Sequence, residues 1–395
     1  MKVLHVIPSL AARTGGPAVT AVEFARQASR NGIEVMIFAT DAAHPARAGS
    51  GRAAAREELV EGADSVPTRL FPLRKPYRLA RSPSLRDAVR AELPNYDVLH
   101  LHSLYLYPQL AAAKEARKCG IPYVVTPHGT LDPWMRRRGR IRKWIVDVTA
   151  QKRMLAGAAV LHFTLEEEAR LAADIAGNRP RVVLPNGVHW AELGQLPEPG
   201  HFRSARLDGH EGPVVLFLGR LAQKKGLDLL VQAFALAVRR HPDALLVIAG
   251  PDEENLRVPL VSLAERHGIG DRVVFTGLLR GEEKRAALSA ADVWVLPSHT
   301  EAFTIALIEA LAAGVATLIS PAVNLAGEIE WAGAGIVSET RPEVFGGALS
   351  YLLEADARRA EYAKRGREFA RRFDWEALAP RIVELYEKVT RWAYH

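Results

Sequence analysis

The feature that most narrows the fold of this chain is an alternation of two periodicities. Short runs rich in Val, Ile and Leu recur along the 395 residues, separated by longer segments with apolar positions at helical spacing. That pattern predicts parallel strands joined by crossover helices, hence an α/β fold. In the first half the expected strands are Val3–Ile7, Val35–Ala39, Val98–Leu101, Tyr123–Thr126, Ala159–Phe163 and Val182–Leu184. In the second they are Val214–Leu218, Ala244–Ala249, Val273–Thr276, Val293–Leu296 and Ala316–Ser320. Two doubly wound, Rossmann-like sheets follow, in agreement with a length worth two to three domains of roughly 150 residues.

The first domain is expected over residues 1–190 and the second over 191–374, with Gln195–His201 as an aperiodic linker region. The Pro- and Arg-rich stretch His44–Ser82 predicts an irregular loop with a short hairpin. A terminal helix over 375–395, apolar at Leu378, Ile382, Leu385, Tyr386 and Val389, is expected to pack back on the first domain. Open doubly wound sheets bind ligands beyond the carboxyl ends of their strands, so the cleft between the two domains is the expected site.

Composition removes several function classes. Hydrophobic residues at 48% and charged residues at 25% exclude a disordered or collagen-like chain. The single cysteine, Cys119, rules out an internal disulfide and a cysteine-rich zinc site. The apolar amino terminus Met1–Pro8 is too short for a signal peptide, and no stretch reaches the roughly 20 apolar residues of a membrane span, so a cytoplasmic protein is expected.

Charge is distributed unevenly. Residues 1–195 hold 28 Lys/Arg against 18 Asp/Glu, whereas residues 196–395 hold 24 against 27. The excess gathers in the segment Trp134–Ile145, where Arg136, Arg137, Arg138, Arg140, Arg142 and Lys143 are interleaved with Trp144 and its apolar neighbours. Such an element suits an anionic membrane surface, which places the protein peripherally on the inner face of the plasma membrane. A solvated helix face is the competing reading, and nucleic acid is not an expected partner.

Three loops carry candidate chemistry. Gly15-Gly16 precede a helix after the first strand and let backbone amides approach an anion. Phe217-Leu218-Gly219-Arg220-Leu221-Ala222-Gln223-Lys224-Lys225-Gly226 runs from a strand into a helix, with the fork of Arg220 and the point charge of Lys225 suited to a diphosphate. Ser298-His299-Thr300-Glu301-Ala302-Phe303-Thr304-Ile305 enters another helix, whose first turn offers free amides to an anion. Glu301 lies in that loop and Glu309 about two turns into the helix, a pair able to reach both ends of a ligand roughly 10 Å long, the size of a nucleoside diphosphate sugar. Glu309 sits among Ile305, Leu307, Ile308 and Leu311, where a carboxylate requires a partner, and a ligand is the expected one. His100 and His102 share one side of a strand without an acidic third ligand, so no metal site is expected.

Gly219-Arg220-Leu221 with Lys225-Gly226, then Glu301 and Glu309, then Ala312-Ala313-Gly314, resemble the donor-binding half of the retaining glycosyltransferases of family 4, which have the GT-B fold. The resemblance extends to Gly15-Gly16, Thr126-Pro127-His128-Gly129, Pro185-Asn186-Gly187-Val188 and Ala291-Asp292-Val293, and so covers nearly the whole chain. His128-Gly129-Thr130-Leu131-Asp132-Pro133-Trp134 is similar to members that assemble bacterial surface polysaccharides.

The resemblance implies that Arg220 and Lys225 hold the donor diphosphate, Glu309 the ribose hydroxyls, and Glu301 the donor sugar near the reacting carbon. It implies also that His128 touches that sugar from the first domain, that Gly16 leaves room for phosphate or acceptor, and that Asn186, Gly219, Leu278 and Ala302–Ile305 line the donor site. The base is expected against backbone around Gly277–Arg280. The implied donor is a GDP- or UDP-linked sugar, the implied acceptor a glycan, in particular a lipid-linked one, and the mechanism front-face. No Asp-x-Asp occurs, and neither a metal nor a cofactor is expected. Thr304 follows Phe303 where the family commonly has glycine, a departure that bears on the donor contacts. A 2-epimerase of nucleotide sugars on the same fold and a non-catalytic carbohydrate-binding relic are the alternatives.

Overall fold

The computed structural model describes residues 1–11, 14–41, 59–132 and 150–393. The chain divides into two compact units, Met1–Asn186 with Glu376–His395, and Gly187–Trp375.

The first unit is built on seven parallel strands in the order β3-β2-β1-β4-β5-β6-β7. They are β1 (Lys2–Ser9), β2 (Glu34–Thr40), β3 (Thr68–Phe71), β4 (Val98–His102), β5 (Tyr123–Thr126), β6 (Val160–Phe163) and β7 (Arg181–Val183). Helix α1 (Gly16–Arg30) follows β1, and α2 (Tyr107–Cys119) follows β4. The interior strands β1, β4, β5 and β6 are buried on both faces, which is why they read as continuous apolar runs. The strand order reverses between β1 and β4, whose carboxyl ends therefore open onto a crevice.

Six parallel strands form the second unit in the order β10-β9-β8-β11-β12-β13. They are β8 (Val214–Leu218), β9 (Leu245–Ala249), β10 (Val273–Gly277), β11 (Val293–Leu296), β12 (Ala316–Ile319) and β13 (Ile336–Val337). Helices α3 (Leu227–Ala237), α4 (Gly281–Ala290) and α5 (Ile305–Ala313) matter below. Here the order reverses between β8 and β11.

Every strand expected from the apolar runs is present, and two more are added. No hairpin forms in the described part of 44–82; instead β3 pairs in parallel with β2, Thr40 facing Phe71. β3 eluded the sequence because Thr68-Arg69-Leu70-Phe71 is an edge strand too short to show a period. β13, two residues long, was invisible for the same reason. The region 195–201 is not an aperiodic linker throughout, since Pro199 opens a helix to Arg206 that buries Phe202. The C-terminal helix Trp375–Ala393 carries its apolar stripe as expected: Leu378, Ile382, Leu385, Tyr386 and Val389 are all buried.

Candidate functional site

In the second unit the chemistry gathers where β8 and β11 end. The loop after β8 is tied by its backbone to both neighbours: Gly219 N–H donates to Ala249 O, Leu221 N–H to Pro251 O, and His299 N–H to Lys224 O. Two glycines permit this closeness. A Cβ on Gly226, at φ +65°, would stand 2.3 Å from Pro297 O, and one on Gly250 would stand 1.8 Å from Gly219 O. Gly250→Ala must therefore displace the Gly219–Arg220 peptide. It is expected to lower unfolding stability by more than about 2 kcal/mol in a urea titration; an unchanged midpoint would show that the loop is not held this way.

The zipped loops bring the acid and the cations together. The Lys225 ammonium donates to Glu301 Oε2 at 2.6 Å, with both side chains 9% exposed, and Lys224 reaches Oε1 at 3.4 Å. Burial pushes the Lys225 ammonium below its usual range, against the pull of Glu301. For Glu301 burial alone acts upward, but Lys225 and Lys224 outweigh it and hold the carboxyl below its usual range. A buried ion pair with a second ammonium beside it leaves a net positive charge at this point. Arg220, 38% exposed, pairs with Glu253 at 3.1 Å. Its guanidinium is the most exposed cation of the set.

The backbone around Glu301 is equally fixed. Glu301 N–H donates to Ala322 O, and Asn324 N–H donates to Glu301 O. Among the described residues, Ser298 Oγ, Thr304 Oγ1 and Asn324 Nδ2 are buried without a hydrogen-bond partner. Orphaned polar atoms are costly, and these three lie along the loops that border the charged pair. Thr304 is the N-cap of α5 yet its hydroxyl caps nothing; its carbonyl accepts from the amides of Leu307 and Ile308, which leaves those of Ile305 and Ala306 at the helix start to an anion. Ala302 and Phe303 complete the loop, the Phe303 ring lying edge-on to Phe373.

Glu309 already has a partner within the protein: the Lys284 ammonium of α4 donates to its Oε1 at 2.5 Å. Leu278 is exposed after Gly277, which stands at φ +75° and accepts the N–H of Gly250.

The first unit holds the remaining candidates. Gly15 adopts φ 68°, ψ −141°, a conformation open to glycine alone, and starts α1. Among the described residues, a Cβ on Gly16 would meet nothing within 4 Å. Asn186 is buried, and among the described residues its Oδ1 has no partner. His128 follows β5 at φ +53°, with Gly129 at φ +74°, two consecutive left-handed residues of which the first bears a side chain. Glu168 holds that turn: Oε1 accepts from Gly129 N–H at 2.7 Å, and Oε2 accepts from the amide and hydroxyl of Thr164. Arg136, Arg137, Arg138, Arg140, Arg142, Lys143 and Trp144 lie outside the described residues.

His100 and His102 also read differently in three dimensions. Their third neighbour is His5 of β1, and the ring nitrogens of the three come within 4.8 Å of one another. All three are buried. Sequence alone did not find His5, Lys224, Lys284 or Glu168, because each acquires its role from a partner on another element.

Comparisons with known proteins show the family and the fold. Residues 202–369 match the family described as "Glycosyl transferases group 1", and residues 15–187 match "Glycosyl transferase 4-like domain". The chain is 29% identical, over 98% of its length and 96% of the relative's, to the GDP-mannose:cellobiosyl-diphosphopolyprenol alpha-mannosyltransferase of Xanthomonas oryzae pv. oryzae (strain PXO99A). It is 30% identical to the phosphatidyl-myo-inositol mannosyltransferase of Mycobacterium leprae (strain TN), over 79% of each chain. Among solved structures, Anabaena Alr3699/HepE in complex with UDP and glucose superposes with a TM-score of 0.81, at 18% identity over 98% of this chain and 100% of that one. At that identity the likeness is one of fold.

Proposed function

Because the chain belongs to the group 1 glycosyltransferases and has their GT-B fold, we propose that it moves a sugar from a nucleotide diphosphate sugar to a hydroxyl of a lipid-linked glycan, with retention of anomeric configuration, in bacterial surface polysaccharide synthesis. The observation that carries this is the cationic surplus at the carboxyl ends of β8 and β11, where Lys225 and Lys224 enclose Glu301 and Arg220 stands on the same loop. A departing nucleoside diphosphate gains charge as the glycosidic bond breaks, and fixed cations with a helix N-terminus stabilise that charge more in the transition state than before it. Arg220, Lys225 and the first turn of α5 supply what a metal ion supplies elsewhere, so transfer proceeds without one. Glu301 and His128 meet the donor sugar, and Glu309 its ribose.

One relative's name specifies GDP-mannose and a diphosphopolyprenol acceptor, while the HepE structure contains UDP and glucose. Both bases therefore belong in the test. The basic segment 134–145 brings the enzyme to the anionic membrane face where a lipid-linked acceptor resides. No helix among the described residues is long and apolar enough to cross a membrane.

The experiment is a thermal-shift panel of GDP, UDP and their sugars, followed by product analysis with and without a polyprenyl-lipid extract and with and without EDTA. One base is expected to raise the melting temperature, and its sugar is expected to reach the lipid with the anomeric configuration kept and EDTA without effect. Sugar conversion without acceptor would replace transfer by epimerisation, and no shift at millimolar nucleotide would remove the donor site. In the same assay Glu309→Ala is expected to weaken nucleotide binding about tenfold or more, the scale of a hydrogen bond to a charged group. Unchanged affinity would take Glu309 out of the site.

A further inference from the structure

Five histidines of the first unit and two hydroxyls form one unbranched chain of hydrogen bonds across β1, β4, β5 and β6. His128 Nε2 lies 3.2 Å from His102 Nδ1, and His102 Nε2 lies 3.0 Å from His5 Nδ1. The chain continues from His5 Nε2 to the Tyr386 hydroxyl at 3.2 Å, and from that hydroxyl to His100 Nδ1 at 2.8 Å. From there it runs through His100 Nε2 to Thr126 Oγ1 at 2.7 Å, and from Oγ1 to His162 Nδ1 at 2.8 Å. It ends where His162 Nε2 meets the backbone carbonyl of Leu184 at 2.7 Å.

That last contact polarises everything before it. A carbonyl only accepts, so His162 Nε2 carries the proton and its Nδ1 is bare. The Thr126 hydroxyl therefore donates to His162 and accepts from His100 Nε2–H. By the same count Tyr386 donates to His100 Nδ1 and accepts from His5 Nε2–H, His102 donates to His5, and His128 Nε2–H donates to His102. A neutral imidazole has one donor and one acceptor, so no link can reverse unless all do. The neutral state is secured by burial, which pushes His5 and His128 down to about 3 and His162 to about 4, with His100 and His102 also well below the usual range.

Two other uses of the cluster fail on this count. A metal among His5, His100 and His102 needs their lone pairs, and each is already accepting a hydrogen bond. A proton conduit needs an exit, and an amide carbonyl takes up no proton.

We propose that this chain locks His128 in the Nε2–H tautomer, so that it presents the bare Nδ1 lone pair, with Tyr386 of the C-terminal helix as the positioning residue that transmits the lock. Among the described residues Nδ1 has no partner. Resting on the reading that His128 faces the donor sugar, the inference specifies what it takes there: a hydroxyl that donates its proton, on an uncharged sugar. A carboxylate or phosphate at that point would meet a lone pair and no proton.

The test uses the full chain labelled with 15N-histidine and two-bond 1H–15N correlation at pH 7.5. All five rings are expected as Nε2–H tautomers. Tyr386→Phe cuts the chain in the middle: His100 and His162, on the Leu184 side, keep their tautomer, whereas His5, His102 and His128 shift to mixed values. A His128 that is Nδ1–H in the wild type, or one that ignores Tyr386→Phe, overturns the lock, and the wild-type spectrum decides even if the variant fails to fold. Binding of GDP-mannose and UDP-glucose and their deoxyfluoro analogues supplies the second arm, since fluorine accepts but does not donate. One fluorinated position is expected to bind several-fold worse in the wild type, and that penalty to shrink about two- to fivefold in Tyr386→Phe as the competent tautomer becomes a fraction of the population. The expected spectra without any such position would retain the lock and overturn the donor-facing reading of His128.

Discussion

Lowering the pH from 6.5 toward 4 is expected to unfold the first unit. His5, His100, His102 and His162 are fully buried and neutral, with ring pKa values far below the 6.5 they have in an unfolded chain. Between those limits the unfolded state binds protons that the folded state cannot. Stability then falls as the pH falls, by about 1.4 kcal/mol per pH unit for each ring and by about 5 for the four at full slope. A domain stable by roughly 5–15 kcal/mol loses most of that within two units.

The second unit follows another course. The depressed carboxyl of Glu301 contributes stability above its unfolded value of 4.5, which is lost only as the pH falls through its still lower folded value. Urea titrations at pH 7.5, 6.0 and 5.0 are therefore expected to show one transition moving sharply and a second that holds until more acid conditions. Equal midpoints at pH 7.5 and 5.0 would mean that the histidine row is neither neutral nor buried as described.

Replacing Lys225 by alanine is expected to have the largest effect on activity, and it also destabilises the second unit. Removing one partner of a buried pair leaves the other charge uncompensated, a cost of about 3–5 kcal/mol, here nearer the lower figure because Lys224 stays within 3.4 Å of Glu301. Transfer is expected to fall by about 10²–10³-fold, the scale of losing one fixed group that meets developing charge. The double replacement Lys225→Met with Glu301→Leu separates the two effects, since a buried pair exchanged for apolar side chains of similar volume is often neutral for stability. Its urea midpoint is expected to return close to wild type while transfer stays at least about 10²-fold below it. A single variant as stable as wild type would dismiss the buried pair, and a double variant that transfers at the wild-type rate would dismiss the site.

Much of the fold was legible because strands buried on both faces must be apolar throughout, and such runs stand out one by one. β8, with Val214-Val215-Leu216-Phe217-Leu218, needed no context. β3 and β13 were lost because short edge strands have little buried surface to impose a pattern. The loops after β8 and β11 were legible through residue type: glycines where backbones must nearly touch, cations before a helix, an acid inside an apolar stripe.

What that logic could not supply was who meets whom. Glu309 was read as meeting a ligand, and it also holds Lys284, on the preceding helix. Glu301 was assigned to a sugar alone, and it also holds Lys225, 76 positions away. His100 and His102 were weighed as a pair without an acidic third ligand, while their neighbours are His5 and Tyr386, the latter 286 positions from His100.

The sequence by itself determined the α/β class, the two parallel sheets, the apolar stripe of the last helix and the loops that carry charge, because each is a local consequence of periodicity or residue type. The tertiary structure alone decided the ion pairs, the orphaned hydroxyls and the polarity of the histidine chain. Those depend on distances of about 3 Å between elements far apart in the chain, and a hydrogen bond or a buried charge has meaning only through the atom placed opposite it.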